Sequence, residues 1–157
     1  AVVKAYNKVA RTLVAFEVVW LEAWNKSVSA AREGLQATLI IRHPKTAKLY
    51  VNLDREVLQL AHETKCLRRL GVDVPPAAEA VLAQEGRLKR VALHLEHTLA
   101  EYAAATEKIA PVTVKCLAPH LATLEAALRP GLVELTWTAL NIDAYLDAAR
   151  SSVARLS

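Results

Sequence analysis

Apolar residues recur every three or four positions along most of this chain, which is the period of an amphipathic α-helix. The first such run predicts a helix from about Val2 to Ala31. Its apolar face consists of Val2, Tyr6, Val9, Leu13, Phe16, Trp20, Trp24 and Val28. Trp20 and Trp24 are one helical turn apart, so we expect both indoles to lie in a buried seam against neighbouring helices.

The helical period returns after the first third of the chain. A second helix should cover Arg55–Leu70, with Asp54 as its N-cap and Gly71 as its stop. A third and longer helix should cover Pro76–Ile109. The apolar stripe of this third helix consists of Val81, Leu88, Val91, Leu95, Leu99 and Tyr102.

Prolines interrupt the next periodic run. Pro111 can occupy the first turn of a fourth helix, whereas Pro119 lies well inside the pattern. A proline there removes a backbone donor and clashes with the preceding turn, so Pro119 should kink or divide the helix. We expect this helix to stop at Arg129–Gly131, and a final helix to begin at Ile142 after an Asn141 N-cap.

The stretch Gly34–Asp54 departs from the helical period, because apolar and polar residues alternate there in two short runs. A polar link of about five residues, 43–47, separates the runs, and a link of this length suits an antiparallel hairpin. We therefore predict a β-hairpin over about residues 35–53. An isolated hairpin is marginal in water and must pack on helices. The predicted packing face consists of Leu39, Ile41, Leu49 and Val51.

These patterns together predict an all-α fold, an elongated helical bundle segment with one inserted β-hairpin. The composition agrees, since 54% of the 157 residues are apolar and the net charge is only +4. No uncharged apolar run is long enough for a transmembrane helix, so we expect no membrane insertion. The basic residues form no continuous stripe, and we expect no nucleic-acid partner. Cys66 and Cys116 have no metal-binding spacing and should be buried, reduced thiols.

The sequence contains no recognisable catalytic or cofactor motif. Its four glycines fit neither of the phosphate-binding patterns GxxxxGK[ST] and GxGxxG. The strongest metal candidate is the group His94, His97 and Glu101, whose spacing places all three on one side of the third helix. It lacks the HExxH order, and Leu95 and Leu99 occupy the core face beside it. We therefore predict no catalytic, cofactor-binding or metal-ligating residue and no small-molecule substrate.

Three separated segments carry a family resemblance. They are GLQATLIIRHPKTAKLYVNLD (34–54), TKCLRRLGVDVP (64–75) and RPGLVELTWTALNIDAYL (129–146). In order and spacing they resemble the N-terminal tail, or stem, of dynein heavy chains, most closely the axonemal chains of cilia and flagella. The family usually has Gly where this chain has Ala47, and often has Pro where it has Arg55. The first difference bears on the turn, because alanine disfavours a positive φ.

The resemblance implies a function that the residues alone do not. It implies that residues 1–157 are one part of the tail's helical bundles, which carry partner chains and link the motor to its cargo. The implied partners are other dynein subunits: intermediate chains, a neighbouring heavy chain and adjacent tail bundles. ATP and Mg²⁺ would belong only to the motor elsewhere in the parent chain, so this segment would not be an enzyme. The implied location is the axoneme of a cilium or flagellum, within the reducing cytoplasm.

The hairpin is the candidate site under this interpretation. Its candidate packing and interaction residues are Leu39, Ile41, Leu49, Tyr50 and Val51. Two other classes stay open at this point, a freestanding helical adaptor that binds proteins and a metal-binding helical bundle.

Overall fold

The computed structural model describes residues 2–109 and 114–155, with side chains for 2–109 and 117–155. Along the described chain the elements are α1 (Val2–Gly34), β1 (Ile40–Arg42), β2 (Leu49–Val51), α2 (Arg55–Arg69), α3 (Pro76–Glu107), α4 (Val114–Val133) and α5 (Ile142–Ala154). The strands β1 and β2 form one antiparallel hairpin. The prediction of an all-α segment with an inserted hairpin is confirmed.

Helix α3 is the centre of the packing. It contacts α1, α2, α5 and strand β2, while α4 packs on α5 and β1. The predicted apolar stripe of α3 is buried from Val81 to Leu99, and Tyr102 at its end is half-buried. The hairpin therefore lies between α3 and α4, where both strands reach the same core.

Several predicted helix ends are confirmed. The Asp54 carboxylate accepts a hydrogen bond from the Glu56 N–H at 2.9 Å and so caps α2. Gly71 follows the end of α2 with φ of +75°, the left-handed conformation that glycine favours after a helix. Asn141 precedes α5 as predicted, but its side chain makes no capping hydrogen bond.

The prediction that α4 stops at Arg129–Gly131 is wrong, and Pro119, which is predicted to kink or divide the helix, does not divide it. The helix continues through Pro119 and Pro130 to Val133. Packing outweighs the lost backbone bonds, because Leu124 and Leu128 on this helix are fully buried. The predicted place of Pro111 lies outside the described residues.

The prediction that Trp20 and Trp24 both lie in a buried seam is wrong for Trp20. Trp24, Val28 and Ala31 are buried, but the apolar residues from Val2 to Trp20 are exposed, since no described element lies against them. The two indoles still stack, with ring centroids 6.2 Å apart. Trp20 nevertheless remains 39% exposed. The core of the described residues therefore begins at Trp24.

The cysteine prediction holds only in part. Cys66 is a free thiol as expected, but it is exposed on α2 rather than buried. Leu60, Ala61, Thr64 and Leu67 take the buried positions of that helix. The side chain of Cys116 lies outside the described residues. Among those residues no helix combines the length and the apolar character needed to cross a membrane.

Candidate functional site: the hairpin and the Trp137 segment

The hairpin is short and closed by an ordered turn. Ile40 pairs with Val51, Ile41 with Tyr50, and Arg42 with Leu49. The turn begins with a bond from the His43 N–H to the Lys48 carbonyl at 2.8 Å.

The exposed His43 ring also supports the turn. Its Nδ1 accepts hydrogen bonds from the N–H groups of Lys45 and Thr46, each at 3.3 Å. Ala47 completes the turn with φ of +56°, a left-handed conformation that costs an alanine free energy.

The five predicted hairpin residues divide between two faces. Leu39 is fully buried, and Leu49 and Val51 are half-buried against the core. Ile41 and Tyr50 are a cross-strand pair on the opposite face and are 45% and 48% exposed. We call Ile41 and Tyr50 the outward pair.

The prediction that Ile41 faces the core is wrong. Leu39 and Ile40 are adjacent and both fully buried, so strict alternation fails at the start of β1. The cause is that Leu39 lies before the strand and donates its N–H to the Leu135 carbonyl at 3.0 Å. The strand alternation therefore starts from Ile40, which places Ile41 outward.

The base of the hairpin is fixed by residues 134–141, which we call the Trp137 segment. Trp137 is fully buried, and its indole N–H donates to the Asn52 carbonyl at 2.8 Å. The Asn52 N–H donates to the Leu39 carbonyl at 2.9 Å, and Thr38 forms an isolated antiparallel bridge with Thr136. The Trp137 segment thus forms backbone and side-chain hydrogen bonds with the base of the hairpin. These bonds satisfy backbone groups that would otherwise be buried without partners.

A close contact of three elements lies beneath β1. A Cβ added at Gly131 in α4 would overlap the Tyr145 hydroxyl, and it would lie 2.7 Å from Tyr145 Cζ and 3.0 Å from Ile40 Cδ1. Only glycine permits this approach of α4, α5 and β1. The Tyr145 hydroxyl donates to the Leu128 carbonyl at 3.1 Å. Burial raises the pKa of Tyr145 to about 12.

Polar contacts join the hairpin and the Trp137 segment to the helices. Arg42 forms an ion pair with Glu125 of α4, and Lys48 forms one with Glu107 of α3, each at 3.4 Å. Both pairs are exposed, so each contributes less than about 1 kcal/mol. Arg87 of α3 donates to the Ala139 carbonyl and holds the Trp137 segment against the bundle.

A groove of about 550 Å³ separates β2 from the second half of α3. Leu49, Tyr50 and Val51 line one wall, and Leu99, Tyr102 and Ala103 line the other. Burial raises the pKa of Tyr102, and the negative charge of Glu125 raises it further. The surface of the groove is mainly apolar, and Tyr50 of the outward pair forms part of its wall.

The candidate metal residues do not converge. His97 and Glu101 are an exposed pair one turn apart, with 3.6 Å between Nδ1 and Oε2. His94 is also exposed. Within residues 2–109 and 117–155 no three His, Cys, Asp or Glu side chains are grouped to hold a metal ion.

Sequence reasoning missed four residues that organise the site: Ile40, Gly131, Trp137 and Tyr145. One signal was available, because Leu135 and Trp137 alternate with Thr136 and Thr138 in the period of a strand. The structure also brings two of the three resemblance segments, 34–54 and 129–146, into direct contact. These two segments therefore form one spatial unit.

Comparison with known proteins supports the family resemblance of these segments. Residues 1–145 match the family model described as dynein heavy chain, N-terminal region 1. The chain is 41% identical over 155 residues to the dynein gamma chain of the flagellar outer arm of Chlamydomonas reinhardtii. That match covers 98% of this chain and 3% of the algal protein. It is 39% identical over 145 residues to human dynein axonemal heavy chain 8, covering 92% of this chain and 3% of that protein.

A third relative is mouse dynein axonemal heavy chain 5, which is 37% identical over 152 residues. That match covers 97% of this chain and 3% of the mouse protein, so the chain spans about 3% of the length of these relatives. The family match covers far more than half of the chain. This chain therefore belongs to the dynein heavy chain family and corresponds to the N-terminal region of those heavy chains.

Proposed function

We propose that this chain is a scaffold segment in the tail of an axonemal dynein heavy chain, where it holds partner chains and transmits load. The motor that hydrolyses ATP with Mg²⁺ would lie elsewhere in the parent chain, and this segment would turn over no substrate. The relatives named above are flagellar and axonemal heavy chains, which supports a place in a cilium or flagellum. The family match favours this role over a freestanding adaptor or a metal-binding bundle.

The observation that carries the proposal is the outward pair on a hairpin whose base is fixed. Ile41 and Tyr50 present an apolar cross-strand pair to solvent, while Leu39, Ile40 and Asn52 beneath them are held by the core and the Trp137 segment. A rigid apolar surface binds with little loss of conformational entropy. The outward pair is therefore the surface on which we place a partner subunit or a neighbouring tail bundle.

We place the contact on side chains rather than on a strand edge. Each strand has only three residues, which leaves few backbone groups for an added strand. The Ile40 carbonyl, moreover, already accepts a hydrogen bond from the Thr38 hydroxyl at 3.2 Å. The adjacent groove beside β2 can receive an apolar side chain from the same partner.

Load transmission follows from the packing of α3 against helices and hairpin together. Close-packed interiors resist compression, so a displacement at one end of the bundle moves the whole body. The contacts of α3 with α1, α2, α5 and β2 place the hairpin in that body. A partner bound at the outward pair would therefore be held at a fixed orientation.

The test uses the full heavy chain produced together with its partner subunits. The double variant Ile41→Ser, Tyr50→Ser removes the apolar surface without touching the buried hairpin residues. We expect at least about a tenfold loss of a co-purifying subunit, equivalent to about 1.4 kcal/mol of binding free energy. The control is Leu93→Ser, which alters an exposed leucine of α3 that does not line the groove beside the hairpin and should leave assembly unchanged. Unchanged assembly of the double variant would refute the proposed surface.

A further inference from the structure

The first half of α1 carries an apolar surface that no described residue covers. The large apolar residues on this half are exposed: Val2, Val3, Tyr6, Val9, Leu13, Val14, Phe16, Val18, Val19 and Trp20. We use the name α1 stripe for Val2, Tyr6, Val9, Leu13, Phe16 and Trp20, which alternate in steps of four and three residues. This spacing keeps one face of a helix towards a packed neighbour. A typical soluble monomer exposes no apolar patch larger than about 300–600 Å².

The α1 stripe continues an interface that the structure already contains. At 100° per residue, Trp24, Val28 and Ala31 lie on the same side of α1 as the stripe. These three residues are buried where α1 packs on two helices, α2 and α3. No glycine or proline occurs between residues 2 and 33, so both halves belong to one uninterrupted helix. The exposed half therefore extends the packing face of a bundle helix.

The positions beside the α1 stripe indicate how many helices cover it. In two-stranded coiled coils the flanking positions usually carry charged residues that form ion pairs between chains. Here the flanking residues are Val3, Ala5, Ala10, Thr12, Glu17 and Val19, of which only Glu17 is charged. Such a wide apolar face suits packing against two helices, as in the second half of α1. It does not suit a two-stranded pairing with a second copy.

The opposite side of the same half carries the charged residues, with Val18 among them. Lys4, Lys8 and Arg11 lie there, away from the α1 stripe. This half of α1 is therefore amphipathic, with one face suited to water and one suited to a core. It has the character of a bundle helix with its neighbours outside residues 1–157.

We propose that the α1 stripe is the seam of a second helical bundle, closed by a pair of helices of the same heavy chain outside residues 1–157. About 97% of the length of the matched relatives lies beyond the aligned region, so the polypeptide can supply the pair. Helix α1 would then belong to two successive bundles and fix their relative orientation. The inference concerns a different surface from the outward pair, so each proposal can fail without the other.

The first measurement tests whether the stripe is covered. In the full heavy chain within its native complex, Leu13→Cys lies on the α1 stripe and Arg11→Cys on the polar side. We expect maleimide labelling, quantified by peptide mass spectrometry, to be at least tenfold slower for Leu13→Cys than for Arg11→Cys. Labelling at equal rates would overturn the proposal.

The second measurement identifies the helices that cover the stripe. A photo-crosslinking benzoylphenylalanine is placed at Val3 and, in a separate variant, at Val19, which lie on opposite edges of the stripe. We expect each position to crosslink to a different helix of the same heavy chain outside residues 1–157. Mixing isotopically labelled and unlabelled chains distinguishes crosslinks within one chain from crosslinks between copies. Crosslinks to another subunit, to a second copy or to one shared helix would overturn the proposal, and so would their absence.

Discussion

Ala47 holds a backbone conformation in the hairpin turn that favours glycine. Its φ of +56° lies in the left-handed region, where the Cβ of alanine meets the neighbouring backbone. Glycine has no Cβ, although it loses more conformational freedom on folding. The balance of these two effects decides whether glycine at this position raises or lowers the free energy of unfolding.

We predict that Ala47→Gly raises the free energy of unfolding by about 0.5–1 kcal/mol, because relief of strain exceeds the entropy loss. Urea denaturation of the variant and the parent protein measures the change. Thr46→Gly is the matched control in the same turn, and it should lower stability because Thr46 has no positive φ to relieve. A lower stability for Ala47→Gly would contradict the account of this turn.

Tyr145 gives the fold a dependence on alkaline pH. Burial raises its pKa from 10.0 to about 12, so the folded state retains the phenol proton when the unfolded state has lost it. Its contribution is complete below pH 10 and disappears as the pH rises through about 12. We expect the unfolding free energy to fall by roughly 2–3 kcal/mol over that interval from this residue.

The measurement compares the parent protein with Tyr145→Phe across pH 9 to 12. The variant loses the hydrogen bond to the Leu128 carbonyl and should be less stable at neutral pH by about 1 kcal/mol. The difference between the two proteins should shrink above pH 10 and reverse in sign near pH 12, because the parent loses more than about 1 kcal/mol as Tyr145 ionises on unfolding and phenylalanine does not ionise. A constant difference over the whole range would show that Tyr145 titrates normally.

At the scale of elements, the contact of α4, α5 and β1 depends on the absence of a side chain at Gly131. We predict that Gly131→Ala lowers the free energy of unfolding by about 1–3 kcal/mol, the usual cost of overpacking. Thermal and denaturant unfolding measure this change. The expected sign opposes intrinsic propensity, since alanine is the better helix former.

Gly86 provides the control for that substitution. It lies inside α3, and a Cβ added there would meet no atom within 4 Å. Gly86→Ala should therefore raise stability by about 0.5–1 kcal/mol. Equal effects of the two alanine variants would mean that the close contact at Gly131 does not restrict the packing.

The sequence predicts elements well where local pattern decides them. The stripe of α3, the cap at Asp54 and the stop at Gly71 follow from residues within a few positions of one another. The end of α4 does not, because the burial of Leu124 and Leu128 against distant elements outweighs two prolines. Propensity is a weak prior that tertiary packing overrides.

The site shows the same division. Alternation locates the hairpin and finds Leu39, Leu49 and Val51 at the core, but it assigns Ile41 to the wrong face. The bond between Asn52 and Trp137 joins residues 85 positions apart, and no local pattern encodes it. Which residues of β1 face the core depends on the bond between Leu39 and Leu135. Those two residues are far apart in sequence, so the local pattern could not predict it.

At the scale of the whole molecule, α1 shows that amphipathic character does not identify the partner. The sequence reveals one apolar face along the helix, but only the second half meets α2 and α3. The rest of the described chain is a bundle around α3, with the hairpin held between α3 and α4. The proposed role as a scaffold requires the hairpin to be as stable as that bundle.

Native-state hydrogen exchange tests this requirement most directly. The amides of Leu39 and Asn52, which bond to Leu135 and Leu39, report on the hairpin base, and those of Val91 and Leu95 report on α3. The account predicts opening free energies for the hairpin amides within about 1 kcal/mol of those for α3, because both exchange only by global unfolding. Hairpin amides that exchange by a local opening near zero free energy, while α3 stays protected, would contradict it.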